Sequence, residues 1–195
     1  LPLERVLAGI EAAERAGLSP IKLNCVVQRG VNEDSLVALV RRFRGTGHVV
    51  RFIEFMDVGT LNRWDMTQVV PAAEIRDRIA AEFPLVPPEP NYRGEVARRY
   101  GFADSSGEIG IIASVTQPFC GDCTRARLSA DGRLVTCLFA STGTDLKTPL
   151  RSGASDAELA QIVARVWGGR SDRYSEERAE NASGRAKIQM YQIGG

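Results

Sequence analysis

The chain has 195 residues, of which 44% are hydrophobic and 25% are charged, and this length and composition exclude a disordered or collagen-like protein. The 25 basic and 24 acidic residues leave a formal net charge of +1, so no overall positive field would recruit nucleic acid. The longest apolar stretch, 109–115, is far shorter than the roughly 20 residues that cross a bilayer. We therefore expect a cytoplasmic protein without a membrane partner.

The first 83 residues alternate between helical and extended patterns. The predicted elements are, in chain order, a helix from Leu3 to Gly17, a strand over 21–27, a helix from the N-cap Asn32 to Gly45, a strand over 49–56 and a helix over 71–83. This order is typical of βαβ units and predicts parallel strands. Two or three such units form only part of a barrel or of a doubly wound sheet.

Four prolines between Pro84 and Pro90 cannot continue a helix, and we place a domain boundary there, between 1–83 and 84–195. The second part is predicted to contain a small antiparallel sheet and one helix. Its predicted elements are strands over 98–104 and 108–114, a hairpin of 126–129 and 133–137 that turns at Asp131-Gly132, a helix over 156–167, and a polar segment over 168–187 with little to bury.

The chemistry concentrates at Cys120, Cys123 and Cys137. The first two cysteines are separated by two residues and share one turn, and the predicted hairpin can bring Cys137 to the same point. A closed zinc site needs four ligands, whereas an iron–sulfur cluster held by three cysteines leaves one iron open to a small ligand. The residues alone leave three interpretations open, namely such a cluster, a zinc site that borrows a ligand such as Cys25, and reduced buried cysteines. The single histidine, His48, excludes a multi-histidine metal site.

Two arginines follow the second cysteine directly. Arg125 and Arg127 stand two residues apart, so in an extended strand they project to the same side, next to the cysteines. Guanidinium groups offer planar, bidentate hydrogen bonds that suit a phosphate or a purine edge. The pair is therefore a candidate anion fork, and the alternative is a solvated pair of surface arginines.

Two further cations lie in the predicted parallel strands. Lys22 and Asn24 share one face of the strand over 21–27, although central parallel strands are usually apolar on both faces. A lysine on a buried face usually meets a ligand or a counter-ion. Arg51, in the next strand, is likewise a candidate to meet a ligand. The alternative is that it pairs with Glu54 or another acid.

Short motifs that cover nearly the whole chain carry a family resemblance. They are Lys22-Leu23-Asn24, Arg29-Gly30-Val31-Asn32, Arg51-Phe52-Ile53-Glu54-Phe55-Met56, Cys120-x2-Cys123-x-Arg125-x-Arg127-Leu128-Ser129, Asp131-Gly132, Cys137-Leu138-Phe139 and the terminal Gly194-Gly195. With these motifs the sequence resembles the GTP 3′,8-cyclase family, the radical S-adenosylmethionine enzymes of molybdenum cofactor biosynthesis.

The resemblance implies an α/β fold, in which a partial TIM-type (βα) barrel is followed by a small antiparallel β/α region that carries an iron–sulfur cluster. In the family, S-adenosylmethionine is cleaved at an N-terminal cluster, and the resulting radical abstracts hydrogen from the ribose C3′ of GTP before the carbon radical attacks C8. The implied sites are a [4Fe-4S] cluster on Cys120, Cys123 and Cys137, GTP contacts from Lys22, Arg51, Arg125, Ala126 and Arg127, an S-adenosylmethionine contact from Met56, and a tail, Gly194-Gly195, that enters the active site.

The sequence departs from the family in having no Cys-x3-Cys-x2-Cys motif. We therefore expect a C-terminal portion of the enzyme that is inactive by itself. The resemblance implies as partners GTP, the N-terminal half of the same enzyme and a second copy of the chain in a homodimer, with cyclic pyranopterin monophosphate synthase as a pathway neighbour. The alternatives are the auxiliary-cluster region of another radical S-adenosylmethionine enzyme and a non-catalytic zinc-binding module.

Overall fold

A computed structural model describes residues 2–87, 92, 94–178 and 187–193 of the chain. The chain divides into two compact units, which are described separately here. Unit 1 comprises Leu1–Phe55 and Met66–Gln117, and unit 2 comprises Met56–Asp65 and Pro118–Gly195. The boundary that the prolines suggest at residue 84 does not coincide with this division, because the strands that follow it belong to the sheet of unit 1.

Unit 1 is built on a five-stranded mixed sheet. Its elements are α1 (Leu3–Arg15), β1 (Lys22–Val27), α2 (Leu36–Phe43), β2 (Val49–Glu54), α3 (Ala72–Ala80), β3 (Leu85–Val86), β4 (Arg98–Phe102) and β5 (Glu108–Ile112). The strand order is β1-β2-β5-β4-β3, in which β1, β2 and β5 are parallel while β4 and β3 run antiparallel to their neighbours. The predicted parallel pairing of the first two strands is confirmed, and the architecture is mixed α/β.

The prediction that β4 and β5 form a separate antiparallel sheet is wrong. β5 pairs in parallel with β2, in the register of Val50 with Ile109 and Phe52 with Ile111. The physical reason is visible in the sequence of β5, because Ile109, Gly110 and Ile111 are all buried. Burial on both faces is typical of a central parallel strand and not of an antiparallel strand with one wet face.

The apolar core of unit 1 lies on one face of the sheet, where α2 and α3 pack. α2 contributes Leu36, Val40 and Phe43 at helical spacing. Asn32 precedes the turn that leads into α2, but its side chain does not cap that turn. Instead its amide nitrogen donates to the carbonyl oxygen of Val26 at 2.9 Å, which ties the loop to the end of β1.

Unit 2 contains a small antiparallel sheet, whose strand order is β6-β7-β8. Its elements are β6 (Arg127–Leu128), β7 (Arg133–Val135), β8 (Thr144–Asp145), α4 (Lys147–Arg151) and α5 (Asp156–Gly168). The predicted hairpin of β6 and β7 is confirmed, and Gly132 in its turn has φ 83°. A Cβ atom at Gly132 would also come within 2.7 Å of the Cβ of Lys147, so this turn requires glycine.

The predicted helix α5 is also confirmed, and it begins with a capping box. The Ser155 hydroxyl accepts from the backbone N–H of Glu158, whose carboxylate accepts from the backbone N–H of Ser155 in return. Within the ranges that the structure covers, none of the helices has both the length and the apolar character of a membrane span.

Candidate functional site

The three cysteines of the candidate metal site all lie in unit 2. Cys120 opens a 3-10 turn, and the backbone N–H of Cys123 donates to the carbonyl oxygen of Cys120 at 3.2 Å, so one turn carries both thiols as predicted. Cys137 follows β7, and all three thiols are partly buried. Among the described residues, no three His, Cys, Asp or Glu side chains are grouped closely enough to hold a metal ion. The fold thus brings the cysteines into one unit without a closed metal site.

The surroundings of the sulfur atoms nevertheless suit thiolate ligands. A guanidinium nitrogen of Arg125 donates to Sγ of Cys123 at 3.2 Å, and the backbone N–H of Phe139 donates to Sγ of Cys137 at 3.4 Å. Burial raises the pKa of the Cys137 thiol. Burial acts in the same direction on Cys123, but the hydrogen bonds and charge of Arg125 outweigh it and lower the pKa of that thiol. Since N–H donors stabilise sulfur ligands of iron–sulfur clusters, the donor set fits such a group.

Arg125 and Arg127 follow the second cysteine and flank Ala126. Both side chains are partly buried, while Ala126 between them is exposed. The guanidinium of Arg125 lies 5.0 Å from the ring centroid of Phe119. Burial and the neighbouring charge of Arg125 lower the pKa of Arg127. Two like charges held side by side at a half-buried position favour the binding of an anion between them.

A third arginine, which the sequence did not single out, supports the same turn. Arg170 donates from its guanidinium to the carbonyl oxygen of Cys123, and it also pairs with Asp172 at 3.2 Å. A cavity of about 480 Å³ in unit 2 is lined by Cys137, Phe139 and Asp172, among other residues. Cys137 thus borders a cavity with room for a ligand, and Arg170 supplies positive charge at the turn of Cys123.

The two candidate cations of the parallel strands lie in unit 1. Lys22 and Asn24 are exposed on β1, so the expectation that Lys22 lies on a buried face is wrong. The reason is that the apolar core forms on the opposite face of the sheet. Arg51 is opposite Asn24 in register, and its Nε atom donates to Oδ1 of Asn24 at 2.9 Å. One open sheet face thus carries a lysine, an amide and an arginine.

The alternative pairing of Arg51 with Glu54 is also wrong. Glu54 lies on the buried face of β2 and is 0% exposed. Its carboxylate accepts the backbone N–H groups of Ala72 at 2.7 Å, Val115 at 2.7 Å and Thr116 at 2.9 Å. Arg51 is thereby left to the polar face, where Gly110 in the adjacent strand makes room for it. A Cβ atom at Gly110 would lie 3.0 Å from Cγ of Arg51.

Met56 is the first residue of the loop 56–65, which follows β2 and belongs to unit 2. Its carbonyl oxygen accepts a hydrogen bond from the side-chain amide of Asn62 at 2.9 Å, which fixes the backbone at this position. The carboxyl ends of parallel strands are where open α/β sheets bind ligands, and this placement agrees with a ligand contact. Gly194 and Gly195 lie outside the described residues.

A buried charge cluster around Asp57 is the largest feature that the sequence did not reveal. The Asp57 carboxylate accepts from Nε of Arg178 at 2.9 Å, from Nζ of Lys187 at 2.7 Å and from the hydroxyl of Tyr174 at 2.5 Å. The ring of Tyr174 stacks on Phe139 at 4.5 Å. The expectation that 168–187 has little to bury is therefore wrong for 168–178 and Lys187, where the cluster buries polar and aromatic groups together, and 179–186 lie outside the described residues.

The electrostatics of the cluster follow from its burial. Burial alone would raise the pKa of Asp57, but Lys187, Tyr174 and Arg178 together outweigh it, and the pKa lies below its ordinary value. Burial and the hydrogen bond to Asp57 raise the pKa of Tyr174. Asp57 is thus a carboxylate and Tyr174 a neutral donor at neutral pH. A sequence pattern does not show this, because Asp57 and its partners are more than a hundred residues apart.

Comparison with known proteins identifies the family. Residues 48–176 match the family described as Molybdenum Cofactor Synthesis C. The chain is 56% identical over 193 residues to the GTP 3′,8-cyclase of Xanthomonas campestris pv. campestris (strain B100), which covers 99% of the chain and 56% of that relative. It is 53% identical over 188 residues to the GTP 3′,8-cyclase of Acidothermus cellulolyticus, which covers 94% of the chain and 52% of that relative.

A cyanobacterial relative gives the same result. The GTP 3′,8-cyclase of Synechococcus sp. (strain CC9605) is 46% identical over 197 residues, which covers 99% of the chain and 56% of the relative. The chain spans little more than half the length of the curated relatives it matches. The family resemblance predicted from the sequence is confirmed: the chain belongs to the Molybdenum Cofactor Synthesis C family and corresponds to a C-terminal portion of proteins named GTP 3′,8-cyclase.

Proposed function

We propose that the chain is the substrate-binding, C-terminal portion of a GTP 3′,8-cyclase that acts in the cytoplasm in molybdenum cofactor biosynthesis. One observation carries the proposal, namely that Arg125 contacts the sulfur of Cys123, while Arg127 interacts electrostatically with Cys123 and Cys137. A thiol-rich turn and an anion fork therefore share one place. The names of the relatives supply the substrate, GTP.

In this proposal Cys120, Cys123 and Cys137 hold a [4Fe-4S] cluster. When bound, such a cluster supplies one iron without a protein ligand, to which a substrate atom can bind. The protein's own part is to hold the nucleotide. Arg125 and Arg127 donate bidentate hydrogen bonds to its phosphates or to the edge of its purine, and the small, exposed Ala126 lets the nucleotide approach the backbone.

The polar sheet face of unit 1 is proposed to contribute to the same substrate. Lys22 and Arg51 supply further positive charge for GTP, and Asn24 orients Arg51 through the hydrogen bond at 2.9 Å. β1, β2 and β5 are parallel, as the strands of a partial TIM-type (βα) barrel would be. Met56, after the end of β2, is proposed to contact S-adenosylmethionine.

One step of the reaction needs residues that this chain does not contain. Cleavage of S-adenosylmethionine is assigned to an N-terminal portion like that of the longer relatives, with a cluster of its own. The tail Gly194-Gly195 is proposed to enter the active site. A homodimer is the proposed assembly, and cyclic pyranopterin monophosphate synthase is the proposed next enzyme.

The test uses the full-length protein that contains this chain, purified and reconstituted without oxygen. We expect iron and sulfide in excess of one cluster, and conversion of GTP to a 3′,8-cyclised product when S-adenosylmethionine and a reductant are added. The variant Arg127→Ala should lose most turnover at low GTP, whereas Arg151→Ala, on the exposed end of α4, should not. Zinc without iron would favour the zinc-binding module instead. Iron without GTP binding would favour another radical enzyme.

A further inference from the structure

The C-terminal segment 187–193 is attached to the loop 56–65 by a buried charge contact. Nζ of Lys187 donates to the carboxylate of Asp57 at 2.7 Å and to the backbone carbonyl oxygen of the same residue at 2.9 Å. Both side chains are only 8% exposed. A charged contact of this kind is costly to break, because water cannot readily replace either partner.

A second contact between the same two segments lies at Gly59, Thr60 and Gln189. Nε2 of Gln189 donates to the hydroxyl of Thr60 at 2.8 Å, and its Oε1 accepts from the Thr60 backbone N–H at 3.4 Å. Gly59 has φ 66°, and a Cβ atom there would lie 2.2 Å from Oε1 of Gln189. Any other residue at position 59 would therefore displace the Gln189 side chain.

The segment is held on a further side by the region after β7. The backbone N–H of Ile188 donates to the carbonyl oxygen of Ala140 at 3.0 Å, and Ile193 is only 3% exposed. Residues 187–193 thus have contacts of four kinds, which are a charge pair, a hydrogen-bonded side-chain amide, a backbone hydrogen bond and a buried aliphatic side chain.

We propose that Asp57, Gly59 and Thr60 are positioning residues whose loop is the docking site for segment 187–193. Docking holds Ile193, the last described residue of the segment, at a fixed position relative to Met56, which is adjacent to Asp57. The proposal rests on the proposed function for its meaning, since Met56 and the residues after Ile193 are there assigned to the active site. The docking contact itself is independent of that function.

The experiment compares variants of the full-length, anaerobically reconstituted enzyme. Gly59→Ala forces a clash with Gln189, and its matched control is Gly153→Ala, which has φ 87° and no atom within 4 Å of the added Cβ. Lys187→Met removes the contact with Asp57 but leaves Arg178 and Tyr174 on that carboxylate, and its matched control is the exposed Lys147→Met. Hydrogen–deuterium exchange of the 187–193 amides measures docking, and steady-state kinetics with GTP measures its effect.

We expect amide exchange in 187–193 to accelerate by about tenfold or more in Lys187→Met, which loses a hydrogen bond between charged groups, and in Gly59→Ala, which displaces the Gln189 side chain. Amide exchange in β1 and β2 should be unchanged. In both variants kcat should fall by about tenfold while the KM for GTP and the iron content are unchanged, and Lys187→Arg should recover part of the loss. Both controls should behave as the wild type. If Gly59→Ala does not fold, Thr60→Val removes the acceptor of the Gln189 amide at constant size.

Two results would overturn the proposal. Unchanged exchange in all variants would show that the loop does not hold the segment. Faster exchange with unchanged kcat would show a contact that is structural and positions nothing. If the wild-type enzyme does not convert GTP at all, the proposed function fails, and the exchange measurement still decides whether loop 56–65 docks the segment.

Discussion

Unit 1 buries an apolar core between its sheet and the helices α2 and α3. Unit 2 has strands of only two or three residues, together with buried charges and partly buried thiols. In unit 1 the largest fully buried side chains include Phe52, Ile75 and Ile79. In unit 2 the buried groups include Arg178 beside Phe139. Small regions with little apolar core usually need a metal or another cross-link to be stable. We therefore expect the proposed cluster to contribute more to the stability of unit 2 than to that of unit 1.

Two buried carboxylates illustrate the same difference. Glu54, in unit 1, is satisfied by backbone N–H groups and by the hydroxyl of Thr116, so it joins pieces of regular structure. Asp57, in unit 2, is satisfied by Arg178 and Lys187. Backbone donors are fixed by the fold, while charged side chains depend on one another. Unit 2 is thus the region in which single substitutions should have far-reaching effects.

The largest expected effect is the loss of the cluster from unit 2. Because thiolate ligation needs all three sulfurs, Cys120→Ser, Cys123→Ser or Cys137→Ser should each abolish most iron binding in the reconstituted protein. Metal loss should also make unit 2, but not unit 1, sensitive to proteolysis. Iron and sulfide analysis, with mass spectrometry of the proteolytic fragments, measures both.

The matched control for this prediction is Cys25→Ser, which changes the partly buried thiol of β1 in unit 1. It should leave the iron content unchanged. A normal iron content in Cys137→Ser would contradict the assignment of three ligands. Loss of iron from Cys25→Ser would indicate a site of four cysteines.

The next largest effect concerns the apolar core of unit 1. Phe52 is fully buried in β2, and Phe52→Ala should lower the free energy of unfolding by roughly 3–5 kcal/mol through lost apolar contact and a residual cavity. Val26→Ala changes a side chain on β1 that is 47% exposed, and it should cost less than about 0.5 kcal/mol. Urea unfolding followed by circular dichroism compares the two. Equal losses would mean that the core does not stabilise unit 1.

The sequence predicted unit 1 and unit 2 to different extents for physical reasons. Local periodicity identified α1, α2, α3 and α5, and the Asp131-Gly132 turn identified the hairpin, because these features depend on neighbouring residues. The pairing of β5 with β2 was missed, since it joins residues about sixty positions apart. Lys22 is exposed because the core forms on the opposite face of the sheet. The alternation of residues in a strand does not show which face the core covers.

In the candidate site, too, the sequence predicted local features and missed contacts between distant residues. Spacing alone placed Cys120 and Cys123 on one turn. Arg170 and the Asp57 cluster were missed, because their partners are distant in the sequence. The polar composition of 168–187 predicted a solvated segment, whereas opposite charges and an aromatic stack allow it to be partly buried.

A third prediction concerns the arginines of unit 2. If Arg125 and Arg127 bind GTP, then Arg125→Ala or Arg127→Ala should each weaken binding by roughly 1.5–3 kcal/mol, the scale of a hydrogen bond to a charged group. Lysine at either position should restore only part of the affinity, since it lacks the bidentate geometry. Calorimetric titration of the anaerobically reconstituted protein measures the change, with Arg151→Ala as the control. Unaltered affinity in both alanine variants would identify the pair as ordinary surface charges.

The smallest expected effect tests the charge cluster of unit 2 through its pH dependence. The pKa of Asp57 is lowered in the folded chain, so its contribution to stability is present above the unfolded-state pKa of about 3.9 and is lost as the pH falls through the folded-state pKa. Tyr174→Phe removes one donor to that carboxylate and should cost about 1.5 kcal/mol at pH 7. Arg178 and Lys187 continue to hold Asp57 in the variant. The difference in the free energy of unfolding between wild type and variant should therefore be constant from pH 7 to pH 5 and should narrow below about pH 4.

Urea unfolding at each pH measures this difference, and Tyr191→Phe, at a position that is 73% exposed, is the matched control. A difference that stays constant down to pH 3 would mean that the Tyr174 hydroxyl does not favour the charged form of Asp57, and the buried cluster would then owe its stability to the two cations alone.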